Sequence, residues 1–206
     1  RVGVAVAVRV ELGVGVEPET ESSVTSNSGE DHIGIYNVGG LSAPADIYKW
    51  WGAVAAFDGD YTNIVAPEGV KCFYCYGNYW QGWGVFSVDT SLGIHEPRDM
   101  SAYKDGFIRF WLKSTVTTKV QIEDDTTAKG TKYIPHTTNQ WKEITIPVSE
   151  LVGADLSNIF GLFEITTETA STFYVDDVRW VKGVYRVYRD GELVDERFQL
   201  RRVLPD

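Results

Sequence analysis

The chain has 206 residues, of which 29 are acidic and 19 basic, and its formal net charge is −10. This length suits one domain of sandwich or barrel size, or a domain with an appendage. Because 43% of the residues are apolar, a core can form, which excludes disorder of the whole chain. The acidity disfavours binding to nucleic acid backbones, and no apolar run is long enough to span a membrane. Seven Trp, 11 Tyr and 20 Gly are typical of a secreted β-protein.

Residues 1–17 alternate strictly between apolar side chains and small or charged ones. Valine or leucine fills every even position from Val2 to Val16. This period of two predicts an amphipathic β-strand, which at about 3.3 Å per residue would be roughly 50 Å long. A single strand cannot bury such a stripe, so it requires a groove in this chain or in an identical neighbour.

The rest of the chain divides into three segments by composition. Residues 18–30 are polar, acidic and rich in Ser and Thr, which is typical of a linker. Residues 31–182 contain short alternating segments separated by Gly, Asp, Asn and Pro, and these predict a β-sandwich domain. Residues 183–206 place Asp190-Gly191 between two alternating segments, the pattern of a β-hairpin. The predicted fold is therefore all-β, a jelly-roll β-sandwich with an extra N-terminal strand and a C-terminal hairpin.

Both cysteines, Cys72 and Cys75, lie in a β-prone segment. Side chains three positions apart in a strand point to opposite faces, so the two thiols are not expected to bond each other. We interpret them as inert strand residues.

Three segments of the central region resemble the β-sandwich carbohydrate-binding modules of bacterial polysaccharide-degrading enzymes. They are residues 32–36 (HIGIY), 66–73 (APEGVKCF) and 172–178 (TFYVDDV). The resemblance covers most of residues 31–182 and leaves out both ends. It implies a jelly-roll β-sandwich that binds a polysaccharide without catalysing a reaction, outside the cell or at its surface.

The resemblance also implies a structural calcium ion between the opening strand, the Glu-Gly turn and the closing strand. Carried over by position, Glu68 and Asp177 are the expected carboxylate ligands, with Asp176 as the ambiguous neighbour. Calcium takes oxygen ligands from separate segments. Adjacent residues of a strand face opposite ways, so only one of the two aspartates should point inward. Alternatively, both lie at an exposed strand end.

A sugar site requires aromatic rings beside polar groups, because sugar C–H faces stack on rings while hydroxyl groups need hydrogen bonds. In residues 107–113 the even-numbered positions are apolar, and the odd-numbered positions, which would face the other side of a strand, include Arg109 and Trp111. The next predicted strand turns Gln121 and Glu123 away from its apolar face. We predict that these two strands are neighbours, and that their polar parities, joined by Glu164, form one glycan-binding face.

Residues 76–84 (YGNYWQGWG) are a second source of aromatic rings. Exposed aromatic side chains in a Gly-rich loop suggest a function, so Trp80 and Trp83 are predicted at the rim of the site. Trp141 and Trp180 are assigned to the core.

Catalysis is not expected, because the chain carries none of the usual nucleophile, zinc or phosphate-binding motifs. Glu123 and Glu164 could form a glycosidase pair if they stood about 5 to 10 Å apart, but in a small sandwich such carboxylates more often accept hydroxyl hydrogen bonds.

An alternative function is structural. Residues 1–16 could complete the sheet of an identical subunit and so build an extracellular filament or sheath. They could equally pair with the C-terminal hairpin of the same chain, or both ends could be pieces of flanking domains.

Overall fold

The computed structural model describes residues 32–37, 40–41, 45–50, 54–89, 94–183, 185–189 and 192–197. Within these residues the chain forms β-strands and short 3₁₀ turns, and no α-helix. The strands are β1 (His32–Asn37), β2 (Gly40–Leu41), β3 (Ala45–Trp50), β4 (Val54–Tyr61), β5 (Cys72–Gly77), β6 (Gln81–Asp89), β7 (Ile94–His95), β8 (Phe107–Ser114), β9 (Thr118–Asp124), β10 (Lys129–Ile134), β11 (Lys142–Pro147), β12 (Ile159–Thr167), β13 (Ser171–Val181), β14 (Tyr185–Arg189) and β15 (Glu192–Arg197). The 3₁₀ turns are Ser101–Tyr103, Val148–Glu150 and Leu156–Asn158.

Strands β1 to β13 pair into two antiparallel sheets. Sheet 1 has the order β11-β8-β13-β1-β2, with β5 also paired to β13 and β4 paired to β5. Sheet 2 has the order β10-β9-β12-β6-β3, with β7 paired to β6. The all-β sandwich predicted from the sequence is confirmed.

Alternation of side chains sets the inner and outer face of each strand. Along β8 every second residue is buried, and the buried members Ile108, Phe110 and Leu112 belong to the core. Arg109 and Trp111 occupy the opposite parity. The strand and its two faces are therefore as predicted from the period of two.

Aromatic side chains join the two sheets across the core. Phe73 of sheet 1 packs on Trp83 of sheet 2 with ring centroids 4.1 Å apart, and Phe110 meets Phe163 edge to face at 5.0 Å. The indole Nε1 of Trp180, on β13, donates a hydrogen bond of 2.9 Å to the carbonyl oxygen of Leu162, on β12. Burial of large rings supplies the main driving force for this packing. The prediction that Trp180 lies in the core is confirmed.

Both cysteines are buried and free. Cys75 lies in the core, whereas the Sγ of Cys72 is 3.8 Å from the carbonyl oxygen of Tyr61. Burial raises the pKa of each thiol to about 12, so neither is a reactive thiolate at neutral pH.

The structure tests the prediction for the C-terminal end of the chain but not the predictions for the N-terminal end. Strands β14 and β15 pair as an antiparallel two-stranded sheet, which confirms the C-terminal hairpin. The N-terminal strand predicted over residues 1–17 and the linker predicted over residues 18–30 lie outside the described residues. They stay predictions, as do the domain boundaries.

Candidate functional site

Three predicted ligand-binding residues come together on the outer face of sheet 2. Gln121 and Glu123 alternate with the core residues of β9, and Glu164 lies between two core residues of β12. In the register of the sheet, Glu164 stands opposite Gln121. All three are buried, and Glu164 has no exposed surface. We call this surface the polar face.

Two buried glycines of β6 lie beside the polar face. Gly84 of β6 is the register partner of Glu164, and Gly82 is the partner of Thr166. On the far side of β6, the register positions opposite these glycines belong to Tyr48 and Trp50 of β3. Because neither glycine carries a side chain, β6 adds no bulk beside the carboxylate of Glu164.

One ammonium group holds two carboxylates on this face. Lys129 Nζ donates to Glu123 Oε2 and, at 3.0 Å, to Glu164 Oε2. The pKa of Glu164 is raised to about 7, mainly by burial and also by the adjacent Glu123 carboxyl, while Lys129 opposes both effects. Within the described part of the chain, the buried Glu164 Oε1 and Thr166 Oγ1 have no hydrogen-bond partner. Buried polar atoms rarely remain unpaired, so these two oxygens are unusual and need an explanation.

Aromatic rings stand at one end of the polar face. Trp80, in the turn before β6, is 48% exposed, and its ring lies 5.9 Å from Lys119 Nζ. Tyr133 is 57% exposed and is the register partner of Lys119. Trp80 also has a φ of 56°, which is uncommon for a bulky residue and is typical of functional positions. Trp80 is therefore exposed, and its place at the rim of a glycan site stays a prediction.

Trp83 is not at the rim, and its prediction was wrong. Its side chain is fully buried and packs on Phe73 and Phe163. Strand β6 begins at Gln81, so Trp83 already belongs to a strand and takes its inward parity.

The prediction of a single face that contains all the polar candidates was also wrong. Arg109 and Trp111 lie on β8 of sheet 1, whereas Gln121 and Glu123 lie on β9 of sheet 2. The chain passes from one sheet to the other between β8 and β9, so the two groups occupy opposite outer faces. Arg109 Nε lies 3.8 Å from Glu143 Oε1 on β11.

Trp141 does not lie in the core as predicted. It is half-buried, and its indole Nε1 donates a hydrogen bond of 2.9 Å to the carbonyl oxygen of Val65.

The predicted calcium ligands are engaged with protein groups. The carboxylate of Asp176 accepts the backbone N–H groups of Glu68 and Asp177, each at 2.9 Å. Burial raises the pKa of Asp176 to about 6. Arg179 donates to Asp177 Oδ2. Among the described residues, no three His, Cys, Asp or Glu side chains are grouped to hold a metal ion. Asp176 and Asp177 are both buried, and the calcium site stays a prediction.

Sequence reasoning missed Lys129, Thr131 and Tyr133, which form the polar parity of β10. Thr131 Oγ1 accepts a hydrogen bond of 3.1 Å from Gln121 Nε2. The alternation in residues 129–134 (KGTKYI) contained the signal, because one parity carries Lys, Thr and Tyr.

Comparisons with known proteins agree with this architecture. Residues 65–182 match the family model of carbohydrate binding domain 30. Three similar solved structures are variants of a family 29 carbohydrate-binding module, the first complexed with mannohexaose. Their TM-scores are 0.52, 0.51 and 0.51, at 11%, 12% and 12% identity, and the matches cover 75% of this chain and 93%, 92% and 94% of those chains. At such identity they show the fold alone.

No curated protein matches the sequence significantly. Among the described residues, none of the helical segments is long and apolar enough to cross a membrane. The family match extends over more than half of the chain and over the strands that carry the polar face. The chain belongs to the family of carbohydrate binding domain 30.

Proposed function

We propose that the polar face of sheet 2 binds a polysaccharide without catalysing a reaction. The observation that carries the proposal is the fully buried Glu164, which shares Lys129 with Glu123 on a face directed away from the core. A protein gains no stability from placing such a network there, because buried charges are costly to desolvate. A ligand with many hydroxyl groups could form hydrogen bonds with this network, which would account for its presence.

The chemistry of the polar face fits a sugar. Carboxylates and amides accept and donate the paired hydrogen bonds that hydroxyl groups need, and the unpaired Glu164 Oε1 and Thr166 Oγ1 would accept two of them. Trp80 and Tyr133 at the rim offer ring faces for sugar C–H groups. Affinity per site is expected to be modest, since exposed stacking contributes only a few kcal/mol.

The position of Lys129 supports a binding role over a catalytic one. A glycosidase needs one carboxyl group to give up its proton and the other to act as nucleophile or base. Here a single ammonium group is paired with both Glu123 and Glu164, which ties up both groups. We place such a module outside the cell or at its surface, where polysaccharides are found.

Isothermal titration tests the proposal with mannohexaose and cellohexaose as first probes, followed by a panel of soluble neutral and acidic polysaccharides in affinity gels. Glu164→Ala and Trp80→Ala should each weaken binding about tenfold or more. Glu150→Gln is the matched control. Glu150 forms an ion pair with Lys132, which lies on β10 as Lys129 does, but this pair is exposed. Unchanged binding in both test variants would place the sugar elsewhere.

Self-association through residues 1–16 stays a separate prediction, motivated by their strict alternation. Electron microscopy of the full chain, and of a chain that lacks residues 1–16, tests it. Filaments formed by the full chain alone would support it, and dispersed particles in both samples would exclude it.

A further inference from the structure

The outer face of sheet 1 carries a cluster of aromatic rings that the polar face does not use. Tyr74 of β5 and Tyr174 of β13 are register partners, with ring centroids 5.5 Å apart. Tyr61, at the end of β4, stacks on Tyr74 at 4.5 Å with 16° between the rings. Trp141, just before β11, lies 6.3 Å from Tyr174. We call these four residues the aromatic platform.

The composition of the platform differs from that of the core. The core contains both Phe and Tyr or Trp rings, whereas the platform consists of Tyr and Trp alone, which combine an apolar ring with a polar edge. All four platform residues are half-buried, so each presents part of its ring to solvent. Contiguous exposed aromatic surface on a soluble domain usually marks a binding site.

Polar groups surround the platform at register positions of the same face. Lys113, on β8, is the register partner of Tyr174, and its Nζ lies 5.5 Å from the centre of that ring. Asp58, on β4, is the partner of Tyr74, and Thr172 precedes Tyr174 by two residues on β13. An ammonium, a carboxylate and a hydroxyl group therefore stand beside the rings.

The platform is held rigidly before any ligand arrives. Its tyrosines lie on three adjacent strands, and the hydrogen bond from Trp141 Nε1 to the Val65 carbonyl oxygen fixes the indole. Rings that contact one another lose little conformational entropy on binding. Such preorganisation suits a weak ligand whose affinity depends on stacking.

We propose that the aromatic platform is a second carbohydrate-binding surface, so that the chain binds glycan on both of its sheets. The inference rests on the proposed function and extends it to the opposite side of the sandwich. Neighbouring rings of the platform are 4.5 to 6.3 Å apart, with 16° to 59° between their planes, so together they form one aromatic surface beside Lys113 and Asp58. The expected ligand is an extended hexopyranose polymer, with C–H faces on the rings and hydroxyl groups bound by Lys113 and Asp58.

Two surfaces on opposite faces make the module bivalent. One molecule could then hold two polysaccharide chains, or bind one insoluble surface while it captures a soluble chain. Linked weak sites raise overall avidity by about a hundredfold or more without new contacts. A single-faced module would lack this property.

The tryptophan indoles allow both surfaces to be observed at once. In a ¹H–¹⁵N spectrum of the full chain, Trp80 reports on the polar face and Trp141 on the platform, each assigned by a Trp→Phe variant. Titration with mannohexaose, and separately with cellohexaose, should shift both signals along two independent saturation curves. The titration of the unaltered chain needs no variant to remain folded.

Variants then separate the two surfaces. Each variant removes one reporter and leaves the other. In Trp141→Ala the response of Trp80 should stay within about twofold of the parent, and in Trp80→Ala the response of Trp141 should do so. Glu150→Gln should change neither response.

Each alternative result overturns the inference in a distinguishable way. If Trp80 responds and Trp141 does not, the proposed function stands and the second surface is refuted. If Trp141 responds and Trp80 does not, the glycan site is on sheet 1 alone, which refutes the polar-face site and the inference of two surfaces. Loss of the Trp141 response in Trp80→Ala would show one coupled site. If neither signal moves, and sedimentation shows a dimer that Trp141→Ala abolishes, the platform is a protein interface.

Discussion

Replacement of Glu164 by glutamine should make the protein more stable above neutral pH. Burial raises the pKa of this carboxyl from 4.5 to about 7, which means that the folded state prefers the protonated form. The stability that this preference contributes is fully present below about pH 4.5 and is lost as the pH rises through about 7. The whole effect corresponds to about 3 kcal/mol, at about 1.4 kcal/mol per tenfold change in the ionisation constant.

Glutamine keeps the shape of the protonated acid and cannot ionise. Glu164→Gln should therefore match the parent in unfolding free energy at about pH 4.5 and exceed it by up to about 3 kcal/mol at about pH 8.5. Urea unfolding across this range measures the difference. The matched control Glu150→Gln removes an exposed ion pair with Lys132, which is worth about 1 kcal/mol at most. A difference that stays constant with pH, or that falls as the pH rises, would refute this account of Glu164.

Four further outcomes are expected. Trp80→Gly should keep the unfolding free energy within about 1 kcal/mol of the parent, because glycine accepts a positive φ without strain, yet weaken binding to glycan in affinity gels. Gly82→Ala should destabilise the protein by about 1 to 3 kcal/mol in urea, since a Cβ there would lie 2.5 Å from the carbonyl oxygen of Ile165. Cys75 should resist a thiol reagent at pH 8 until urea unfolds the chain, because its pKa is about 12. If the calcium prediction is right, added Ca²⁺ should raise the melting temperature of the parent but not of Asp176→Asn, and no rise in the parent would exclude the site.

Alternation in the sequence predicted the two faces of individual strands. Ile108, Phe110 and Leu112 lie in the core, as their parity indicated. The outward parity of Gln121 and Glu123 was also right, although both side chains are buried. A period of two follows directly from the geometry of an extended chain, so it can be recognised from local sequence alone.

The pairing of strands could not be predicted in this way. Strands β8 and β9 follow each other closely, so a hairpin was expected, yet they belong to opposite sheets. Which strands pair is decided by packing between residues far apart in sequence. For the same reason, the sequence did not reveal that Lys129 meets both Glu123 and Glu164.

The prediction that Trp83 is exposed was wrong because the neighbouring glycines were interpreted as part of a loop. Gly82 and Gly84 suggested a loop, which would expose the tryptophan between them. In the structure both glycines are strand residues with the parity of the polar face, and Trp83 takes the inward parity. Glycine in a strand interior often marks a place where another backbone approaches closely, and a Cβ at Gly82 would lie 2.5 Å from the carbonyl oxygen of Ile165 on β12.

The polar face should therefore show opposite responses of stability and binding to the same substitution. Glu164 is buried and desolvated, and its raised pKa shows that the folded state tolerates its charge poorly at neutral pH. A residue retained for structure would lower stability when replaced. Glu164→Gln is expected to raise stability at pH 8 and, by replacing the acceptor Oε1 or Oε2 with an amide, to weaken glycan binding. Such a trade between stability and binding is characteristic of functional sites, and a variant that lost both would instead identify Glu164 as a structural residue.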